Sequence, residues 1–274
     1  MAHIVVITHE FESPFRQYLL FDVLNLLTRS GHSFSISAGP RPRPGDVGIL
    51  HVDCTHIAED YLALGKEFEL SINFDVRDIS KRRISGAVLT RDSDWAGPII
   101  IKSDLNCRGL PESAQNAIAK SRGRPLPHPG LGVAKKYVVL PSINAVQEKI
   151  WNNKNIVVER FIPEPDENGF ALRTWVFMGD RERCTRHVSP NAIIKGDNVV
   201  SRTPSDVPNA IRAERARLGF DYGKFDFVVH DGVPVLLDAN RTPGLAPNLR
   251  QFFLAGTTKL AEGLDRLIAD PRRR

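Results

Sequence analysis

The segment of residues 224–240 constrains the fold of this 274-residue chain more than any other, because it holds two apolar runs joined by a turn dipeptide. Its sequence is KFDFVVHDGVPVLLDAN, and Asp231-Gly232 stands between the two runs. Aspartate followed by glycine is typical of a tight hairpin turn, in which both central residues need a positive φ. We therefore predict two antiparallel strands, with Asp226 on the first and Asp238 and Asn240 on the second.

Three oxygen-bearing side chains of this hairpin can form one cation site. Asp238 and Asn240 are two residues apart, so an extended strand projects both from the same face. Asp226 lies on the neighbouring strand and can reach that face across the ladder. Magnesium prefers such oxygen ligands and completes its shell with nucleotide phosphates. The alternative is a solvated strand face, which the abrupt change from a buried run to polar residues disfavours.

The composition is that of an ordinary globular protein, with 42% hydrophobic and 25% charged residues. The length suggests one to three compact units. A net charge of +5, from 37 basic and 32 acidic residues, fits an anionic ligand such as a nucleotide. The basic residues are mostly scattered, so we expect no specific binding of nucleic acid.

The cysteines and the apolar runs indicate a cytoplasmic protein. The three cysteines, Cys54, Cys107 and Cys184, are far apart and form no CxxC pattern, which favours a reducing compartment and no zinc site. No apolar run approaches the roughly 18 residues that span a bilayer. The first ten residues also lack the basic region and cleavage site of a secretory signal. We therefore expect no membrane partner.

Strand and helix patterns alternate at the start of the chain. Strand patterns cover residues 3–9, 33–38 and 48–53, and a helical pattern covers residues 15–28. This opening implies a parallel sheet covered by helices. Residues 71–85 are interpreted as a linker, and residues 105–134 as a mobile loop with a short helix. Later strand patterns cover 97–104, 156–164 and 170–180, and helical patterns cover 208–218 and 248–269.

Two segments offer groups that could hold a nucleotide. Lys102 ends an apolar strand, so its ammonium can reach phosphates while its stem stays packed. The strand that ends at Pro163 exposes backbone groups that could pair with an adenine edge, and Glu159 could accept from the exocyclic amine. Glu164 or Asp166 could then accept from ribose hydroxyls. The alternatives are a lysine extending to solvent and a charge pair on the surface of a linker.

Three cations complete the set of candidates. Arg173 is flanked by apolar residues on the strand predicted at 170–180, where its guanidinium suits a phosphate oxygen or a substrate carboxylate. Lys195 is a weaker candidate of the same kind. Lys224 lies two residues before Asp226, so both face the same way, and a cation there could stabilise charge in a transition state. The alternatives are an outward-facing arginine and simple compensation of the Asp226 charge.

The order of these residues along the chain, followed by the sequence RTPG at 241–244, resembles the ATP-grasp superfamily. The stretch LGFDYGKFDFVVHDGVPVLLDANRTPG is similar to that family's closing magnesium motif, a hairpin ending in an acidic residue, any residue, Asn and then Pro-Gly. The resemblance implies an α/β chain, α+β overall, with the ATP-grasp fold. An N-terminal open parallel α/β domain of residues 1–78 would precede two α+β subdomains, 79–160 and 161–274, that grip ATP.

The resemblance also implies roles for individual residues. Lys102 would contact the α- and β-phosphates, and Lys195 would belong to the same nucleotide-binding set. Glu159 and the backbone of Phe161 and Ile162 would hold adenine, and Glu164 would meet the ribose. Asp226, Asp238 and Asn240 would ligate Mg²⁺, for which Mn²⁺ could substitute. Lys224 and Arg173 would be the catalytic cations.

The activity implied by the resemblance is an ATP-dependent carboxylate–amine ligase, or less typically a carboxylate–thiol ligase, that forms an acyl phosphate. Its partners would be a small-molecule carboxylate and an amine, and a homodimer is one alternative for its assembly. A small-molecule kinase of the same fold and a non-catalytic ATP-binding regulatory protein are the competing hypotheses.

Three features depart from the family pattern. Asp238 stands where the family has Glu, and residues 105–109 carry one glycine where the family has a glycine-rich phosphate loop. The family's early lysine could be matched by Lys81, Arg82 or Arg83. A nucleophilic Cys107 would need a base partner, for which His128 is the nearest downstream histidine, but we interpret Cys107 as an exposed loop cysteine with no catalytic role, because a cysteine in a loop is usually only exposed.

Overall fold

The computed structural model of the protein describes residues 1–12, 17–132 and 136–270. Its strands are β1 (His3–Thr8), β2 (Ser33–Ala38), β3 (Val47–Leu50), β4 (Leu70–Ile72), β5 (Ile99–Ser103), β6 (Val138–Leu140), β7 (Ile156–Arg160), β8 (Glu164–Asp166), β9 (Gly169–Met178), β10 (Arg181–Ser189), β11 (Ser201–Pro204), β12 (Tyr222–His230) and β13 (Val233–Asn240). Its helices are α1 (Leu19–Leu27), α2 (Glu59–Ala63), α3 (Lys81–Ile84), α4 (Leu110–Ser121), α5 (Glu148–Trp151), α6 (Asn209–Leu218) and α7 (Leu254–Ala269). Short 3₁₀ turns lie at Thr28–Ser30, Leu64–Glu67, Asn106–Gly109, Ile143–Ala145 and Pro247–Leu249.

The first sheet has the strand order β2-β1-β3-β4, and all of its neighbouring strands are parallel. The predicted open parallel α/β unit is therefore confirmed. The interpretation of residues 71–85 as a linker is wrong at both ends, because β4 extends this sheet and α3 forms at Lys81–Ile84. A three-residue strand is too short to show the alternating pattern from which strands are predicted.

Helix α1 begins later than the sequence pattern predicts. Tyr18 has an extended backbone and forms an isolated β-bridge with Gly244, so the helix starts at Leu19. Residues 15 and 16 of the predicted helix lie outside the described residues. At the other end of the chain, the helix predicted over 248–269 is interrupted, because a 3₁₀ turn precedes α7. None of the helices in the described part of the chain combines the length and apolar character needed to cross a membrane.

The second sheet is small and antiparallel, with the order β6-β5-β7. Helix α4, which follows β5 along the chain, has 12 residues and lies in the segment predicted to be a mobile loop with a short helix. Contacts with the first unit hold this helix. The carboxylate of Glu112 accepts from the Thr55 amide (2.7 Å) and hydroxyl (2.6 Å), and Gln115 donates to the Asp53 carbonyl (2.9 Å). These long-range contacts leave no local pattern in the sequence.

The third sheet is antiparallel, with the order β11-β10-β9-β12-β13, and β8 adds to β9. The predicted hairpin is confirmed as β12 and β13, and its turn residues Asp231 and Gly232 have φ values of 49° and 77°. The ladder is regular from the turn to Phe227 and Leu236, and then a bulge pairs Asp226 with Asp238. The extra residue is Leu237, which bends the second strand.

The two faces of the third sheet bury different cores. On one face, fully buried aromatic rings pack with α6; they are Trp175, Phe177, Phe225 and Phe227. On the other face, Val176 and Met178 join a core that also holds α1, α7 and the first sheet. The N-terminal helix and the C-terminal helix are therefore packed in one apolar cluster.

Gly263 marks the closest approach of α7 to the third sheet. A Cβ atom at this position would lie 2.1 Å from the Met178 carbonyl oxygen and 2.9 Å from Arg181 Cβ. We expect Gly263→Ala to lower the free energy of unfolding by about 1–3 kcal/mol, because the backbone must shift. In an unobstructed helix the same change would stabilise by about 1 kcal/mol.

Urea denaturation measures this effect, with Gly196→Ala as the control because nothing lies within 4 Å of a Cβ atom there. The control should change stability by less than about 0.5 kcal/mol. Equal stabilities of the two variants would contradict the packing of α7.

Candidate functional site

A cleft of about 170 Å³ lies between the second and third sheets. The residues predicted from the sequence that line it are Lys102, Glu159, Phe161, Ile162, Asp226 and Asp238. They come from β5, β7, the segment after β7, and the β12–β13 hairpin, so that Lys102 and Asp238 are more than a hundred residues apart in sequence. Lys81 and Tyr137 also line the cleft.

Lys102 and Glu159 form a buried ion pair inside the cleft. Ile100 of β5 pairs with Glu159 of β7, and Lys102 follows on the same face, so the two charged groups are diagonal neighbours. Because removing either partner would leave a buried charge uncompensated, the pair is a strongly constrained element. A phosphate that binds Lys102 would have to share the ammonium with Glu159.

The backbone beyond β7 also faces the cleft. The N–H of Phe161 donates to the Pro98 carbonyl (2.9 Å), so this amide is engaged within the protein. The groups of the segment left to meet a base edge are the Phe161 carbonyl and the Ile162 amide. Ile162 itself is buried and contributes an apolar wall.

The bulge brings two carboxylates together at the floor of the cleft. Asp226 accepts hydrogen bonds from the Thr174 hydroxyl (2.8 Å) and from Lys224 Nζ (2.8 Å). Asp238 lies opposite, and its buried Oδ1 atom is 3.4 Å from Lys81 Nζ. Two carboxylates that face each other across the hairpin fit Mg²⁺, which proteins hold by one or two carboxylates plus substrate phosphates.

Asn240 stands apart from the two carboxylates. It pairs with Lys224 across the hairpin, but its side-chain oxygen accepts from the Thr242 amide (2.8 Å) and lies 3.2 Å from the Thr242 hydroxyl. This is an Asx turn that ends β13. The structure thus brings together two of the three predicted metal ligands, and it turns the third toward the following loop. In the described part of the chain, no three His, Cys, Asp or Glu side chains gather as a metal cluster.

The lysines beside the carboxylates stay charged. Burial alone would lower the pKa of Lys81, but the charge of Asp238 raises it above the usual lysine value. Burial would also lower the pKa of Lys224, but the charge and hydrogen bond of Asp226 outweigh it and raise that pKa above the usual lysine value. Lys81 also donates to the Leu105 carbonyl (3.2 Å). Of the three residues considered for the early lysine, Lys81 is the one that lies in the cleft.

Arg173 and Glu164 do not reach the cleft. Arg173 lies on the face of β9 that carries Trp175, opposite to the face of Thr174, and it forms an ion pair with Glu164. Glu164 is buried, and it also accepts from the Val229 amide (2.7 Å) and pairs with Arg186 (3.5 Å). The segment after β7, which was predicted to be an exposed linker, instead forms β8, and this strand turns the Glu164 carboxylate into the network.

Lys195 and Lys224 line a second cavity, of about 380 Å³, beside the first. The two cavities share Leu172, Ile194 and Asp226. Lys195 is exposed at the rim, and Lys224 lies at the end next to the carboxylates. A nucleotide in the cleft and a second molecule in this cavity could therefore meet at Asp226.

Arg241 is a site residue that the sequence did not single out beyond its place in the RTPG motif. Its guanidinium is fully buried and donates to the carbonyls of Cys54 (2.9 Å), Val76 (2.7 Å) and Val52 (3.4 Å). Burial lowers the pKa of Arg241 to about 10, so the group is charged at neutral pH. The partners are more than 160 residues away in sequence, and no local pattern indicates them.

The Lys81–Asp238 pair gives a test of the site that needs no ligand. Lys81 is almost completely buried, whereas the Asp238 side chain is 30% exposed. We expect Asp238→Asn to lower the free energy of unfolding by about 1–3 kcal/mol, because Lys81 loses the carboxylate that compensates its buried charge. The Lys81→Met/Asp238→Asn double variant should recover part of that loss.

Chemical denaturation of both single variants and the double variant measures the coupling between the two side chains. Asp231→Asn, the same change at the exposed hairpin turn, is the control. Strictly additive effects of Lys81→Met and Asp238→Asn would mean that the two groups do not interact.

The sequence matches no protein-family model and no curated protein at a significant level. Its fold is nevertheless found in solved structures over almost the whole chain. A RimK-domain ATP-grasp protein from Sphaerobacter thermophilus is 10% identical, with a TM-score of 0.51 over 96% of this chain and 99% of that one.

Two further structures give the same picture. The RiPP-associated ATP-grasp ligase of Chryseobacterium gregarium, solved with ADP and a leader and core peptide, is 10% identical, with a TM-score of 0.54 over 100% of this chain and 98% of that one. The macrocyclase MdnC of Microcystis aeruginosa, solved with its precursor peptide MdnA, is 12% identical, with a TM-score of 0.51 over 96% and 99%. At these identities the similarity establishes architecture, and the chain has the ATP-grasp fold.

Proposed function

We propose that this protein is an ATP-dependent ligase that joins a small-molecule carboxylate to an amine through an acyl phosphate. The observation that supports this most directly is the pairing of Asp226 with Asp238 between two cavities. One cavity carries the buried Lys102 and a backbone edge, and the other carries further cations. A thiol in place of the amine is the less favoured version of the same reaction.

The cleft suits a nucleoside triphosphate. We assign the phosphates to Lys102 and Lys81, and the base to Glu159, the Phe161 carbonyl and the Ile162 amide. Ile100, Val228 and Leu237 would enclose the ring with apolar surface. The Chryseobacterium ligase, which was solved with ADP, has the same architecture and is consistent with this use of the cleft. The ribose contact assigned to Glu164 has no support from its position.

Asp226 and Asp238 would hold Mg²⁺, which when bound neutralises phosphate charge and aligns the triphosphate. We do not assign Asn240 a direct role while its oxygen is in the Asx turn. Lys224, fixed by Asp226 at 2.8 Å, would stabilise negative charge where the two cavities meet. Positioning the reactants at this junction would supply the remaining part of the rate enhancement.

In the first step, an oxygen of the substrate carboxylate attacks the γ-phosphorus of ATP. An O–P bond forms, the bond to the β–γ bridging oxygen breaks, and ADP leaves. In the second step, the nitrogen of an amine attacks the acyl carbon. A C–N bond forms, the acyl C–O bond breaks, inorganic phosphate leaves, and the nitrogen releases a proton.

We also propose that the chain is organised as domains 1–78, 79–160 and 161–274. The three sheets, which lie at residues 3–72, 99–160 and 164–240, support these boundaries. The homodimer and the cytoplasmic location stay predictions.

Trapping with hydroxylamine tests the reaction type. The full-length chain, Mg-ATP and a panel of carboxylic acids should release ADP and form acyl hydroxamates when hydroxylamine is the amine. A kinase would release ADP without a hydroxamate, and a regulatory protein would bind nucleotide without releasing ADP. The trap therefore separates the three hypotheses.

Two variants test the residues. Asp238→Asn and Lys102→Met should each lower the rate of hydroxamate formation by about 100-fold, because the first removes an anionic ligand of Mg²⁺ and the second removes a cation from the phosphates. Asp231→Asn, the same carboxylate-to-amide change at the far end of the hairpin, should stay within about 2-fold of the wild type. Undiminished turnover in Asp238→Asn or Lys102→Met would reject the assigned site.

A further inference from the structure

The second cavity is unusually rich in unbalanced positive charge. Arg183, Arg202 and Lys195 contribute to its lining, in addition to Lys224, and the neutral ring of His187 lies beside them. Within the described residues, its only carboxylate is Asp226, which Lys224 already neutralises. The rest of the wall is largely apolar. A ligand that matched this lining would carry negative charge on an apolar body.

The cations are arranged along the sheet in a defined order. Arg183 of β10 pairs with Val176 of β9, and Val176 pairs with Lys224 of β12. Arg183 and Lys224 therefore project from the same face, two strands apart. Because neighbouring strands are about 4.8 Å apart, their backbones are separated by roughly 10 Å. One end of the cavity holds the reacting groups, and the other end holds Arg183.

Arg183 differs from the other arginines of its strand. Arg181 and Arg186 form ion pairs with Glu262 and Asp166. The Arg183 guanidinium instead lies 3.8 Å over the ring of Phe253, and its Nε atom is buried without a hydrogen-bond partner among the described residues. Burial lowers the pKa of Arg183 to about 10, so it carries its charge at neutral pH. Arg183 is partly buried and has no carboxylate partner of this kind, so an anion that bound it would supply charge-assisted hydrogen bonds that the guanidinium lacks.

The first turn of α7 is shaped around this side chain. A Cβ atom at Gly256 would lie 2.6 Å from Arg183 Cδ and 3.2 Å from its Nε. Glycine costs about 1 kcal/mol relative to alanine inside a helix, so its presence here has a packing reason. The absence of a side chain lets Arg183 pass under the helix and lie against Phe253.

A second unsatisfied polar atom lies in the same cavity. Nδ1 of His187 is buried and has no hydrogen-bond partner among the described residues. Burial lowers the pKa of His187, so its ring is a neutral donor or acceptor at pH 7. His187 pairs with Arg202 of β11, which places a second guanidinium next to it.

We propose that Arg183, supported by Arg202, binds a second negatively charged group of the carboxylate substrate, so that this substrate is a dianion. Its reacting carboxylate would lie near Lys224 and Asp226, and a carboxylate or a phosphate would lie at Arg183. Val176, Leu249 and Phe253 would contact an apolar spacer between the two. The identity of the reacting end rests on the proposed ligase function, whereas binding of the anion at Arg183 does not.

Calorimetry with three probes tests the proposal on the full-length protein, with and without Mg²⁺ and AMP-PNP. The probes are octanedioate, its monomethyl ester, and 7-phosphonoheptanoate, which share one chain length. We expect the diacid to bind about tenfold or more tightly than the monoester, since a charged hydrogen-bonded group is lost in the ester. A further gain for the phosphonate would identify phosphate as the preferred anion, and tighter binding of the diacid would identify carboxylate.

Variants locate the effect at Arg183. Arg183→Gln should reduce the ratio of diacid to monoester affinity to about one, and Arg183→Lys should restore part of it. Gly256→Ala should also lower the ratio, because it displaces the guanidinium without removing its charge. Arg217→Gln is the matched control, since Arg217 is exposed on α6 and pairs with Glu214. Thermal unfolding of each variant is measured alongside, to check that the variant is folded.

Two results would overturn the proposal. The first is that the two dianions bind no more tightly than the monomethyl ester, either because all three probes bind equally or because none of them binds. The other is an equal effect of Arg183→Gln and Arg217→Gln, which would indicate non-specific charge. Titration with AMP-PNP alone is a separate readout: a diacid preference without nucleotide binding would refute the ligase and leave the anion site standing.

Discussion

The buried guanidinium of Arg241 is the interaction on which the arrangement of the site depends. It lies directly after Asn240 and donates to carbonyls at Val52, Cys54 and Val76, at the carboxyl end of the first sheet and the segment beyond it. A charge with no exposure to solvent is tolerated only when such polar groups surround it. These hydrogen bonds therefore hold the end of β13 against the N-terminal unit. Any displacement of Arg241 from the three carbonyls would leave its charge in apolar surroundings.

A second set of contacts strengthens the same junction. The Leu19 amide donates to the Pro243 carbonyl (2.9 Å), and the Leu245 amide donates to the Gln17 carbonyl (3.1 Å). The Thr242 hydroxyl lies 2.9 Å from the carboxylate of Asp53. The loop after the β12–β13 hairpin is thus bound to the start of α1, and the apolar face of α1 packs with α7. Both termini of the chain contribute to placing the carboxylates.

Local patterns in the sequence predict the parts of this protein that are fixed by local rules. The turn at Asp231-Gly232 and the alternation in β12 were sufficient to predict the hairpin and the shared face of Lys224 and Asp226. The parallel opening of the chain followed from its apolar runs. These features need only the periodicity of a strand and the conformational preference of a turn.

What could not be predicted depends on pairing over long distances. The face on which Arg173 lies is set by the register of β9 with β12, and its neighbour Glu164 is fixed by the strand β8 that forms in the linker. The carboxylate partner of Lys81 and the ring under Arg183 lie far away in sequence. The type of a residue and its neighbours in sequence predict a charged side chain at that position. The register of the paired strands decides which cavity that side chain lines.

The bulge at Leu237 divides the second strand of the hairpin into two frames. Between Val233 and Leu236 the strand keeps one register with β12, and from Asp238 onward it keeps a second register, in which Asp238 pairs with Asp226. If the ladder continued past Leu236 in its first register, Asp226 would stand opposite Leu237, and the carboxylates would not face each other. The hairpin is therefore two short ladders in series, and a single residue sets the offset between the turn-proximal ladder and the one that carries the oxygen donors.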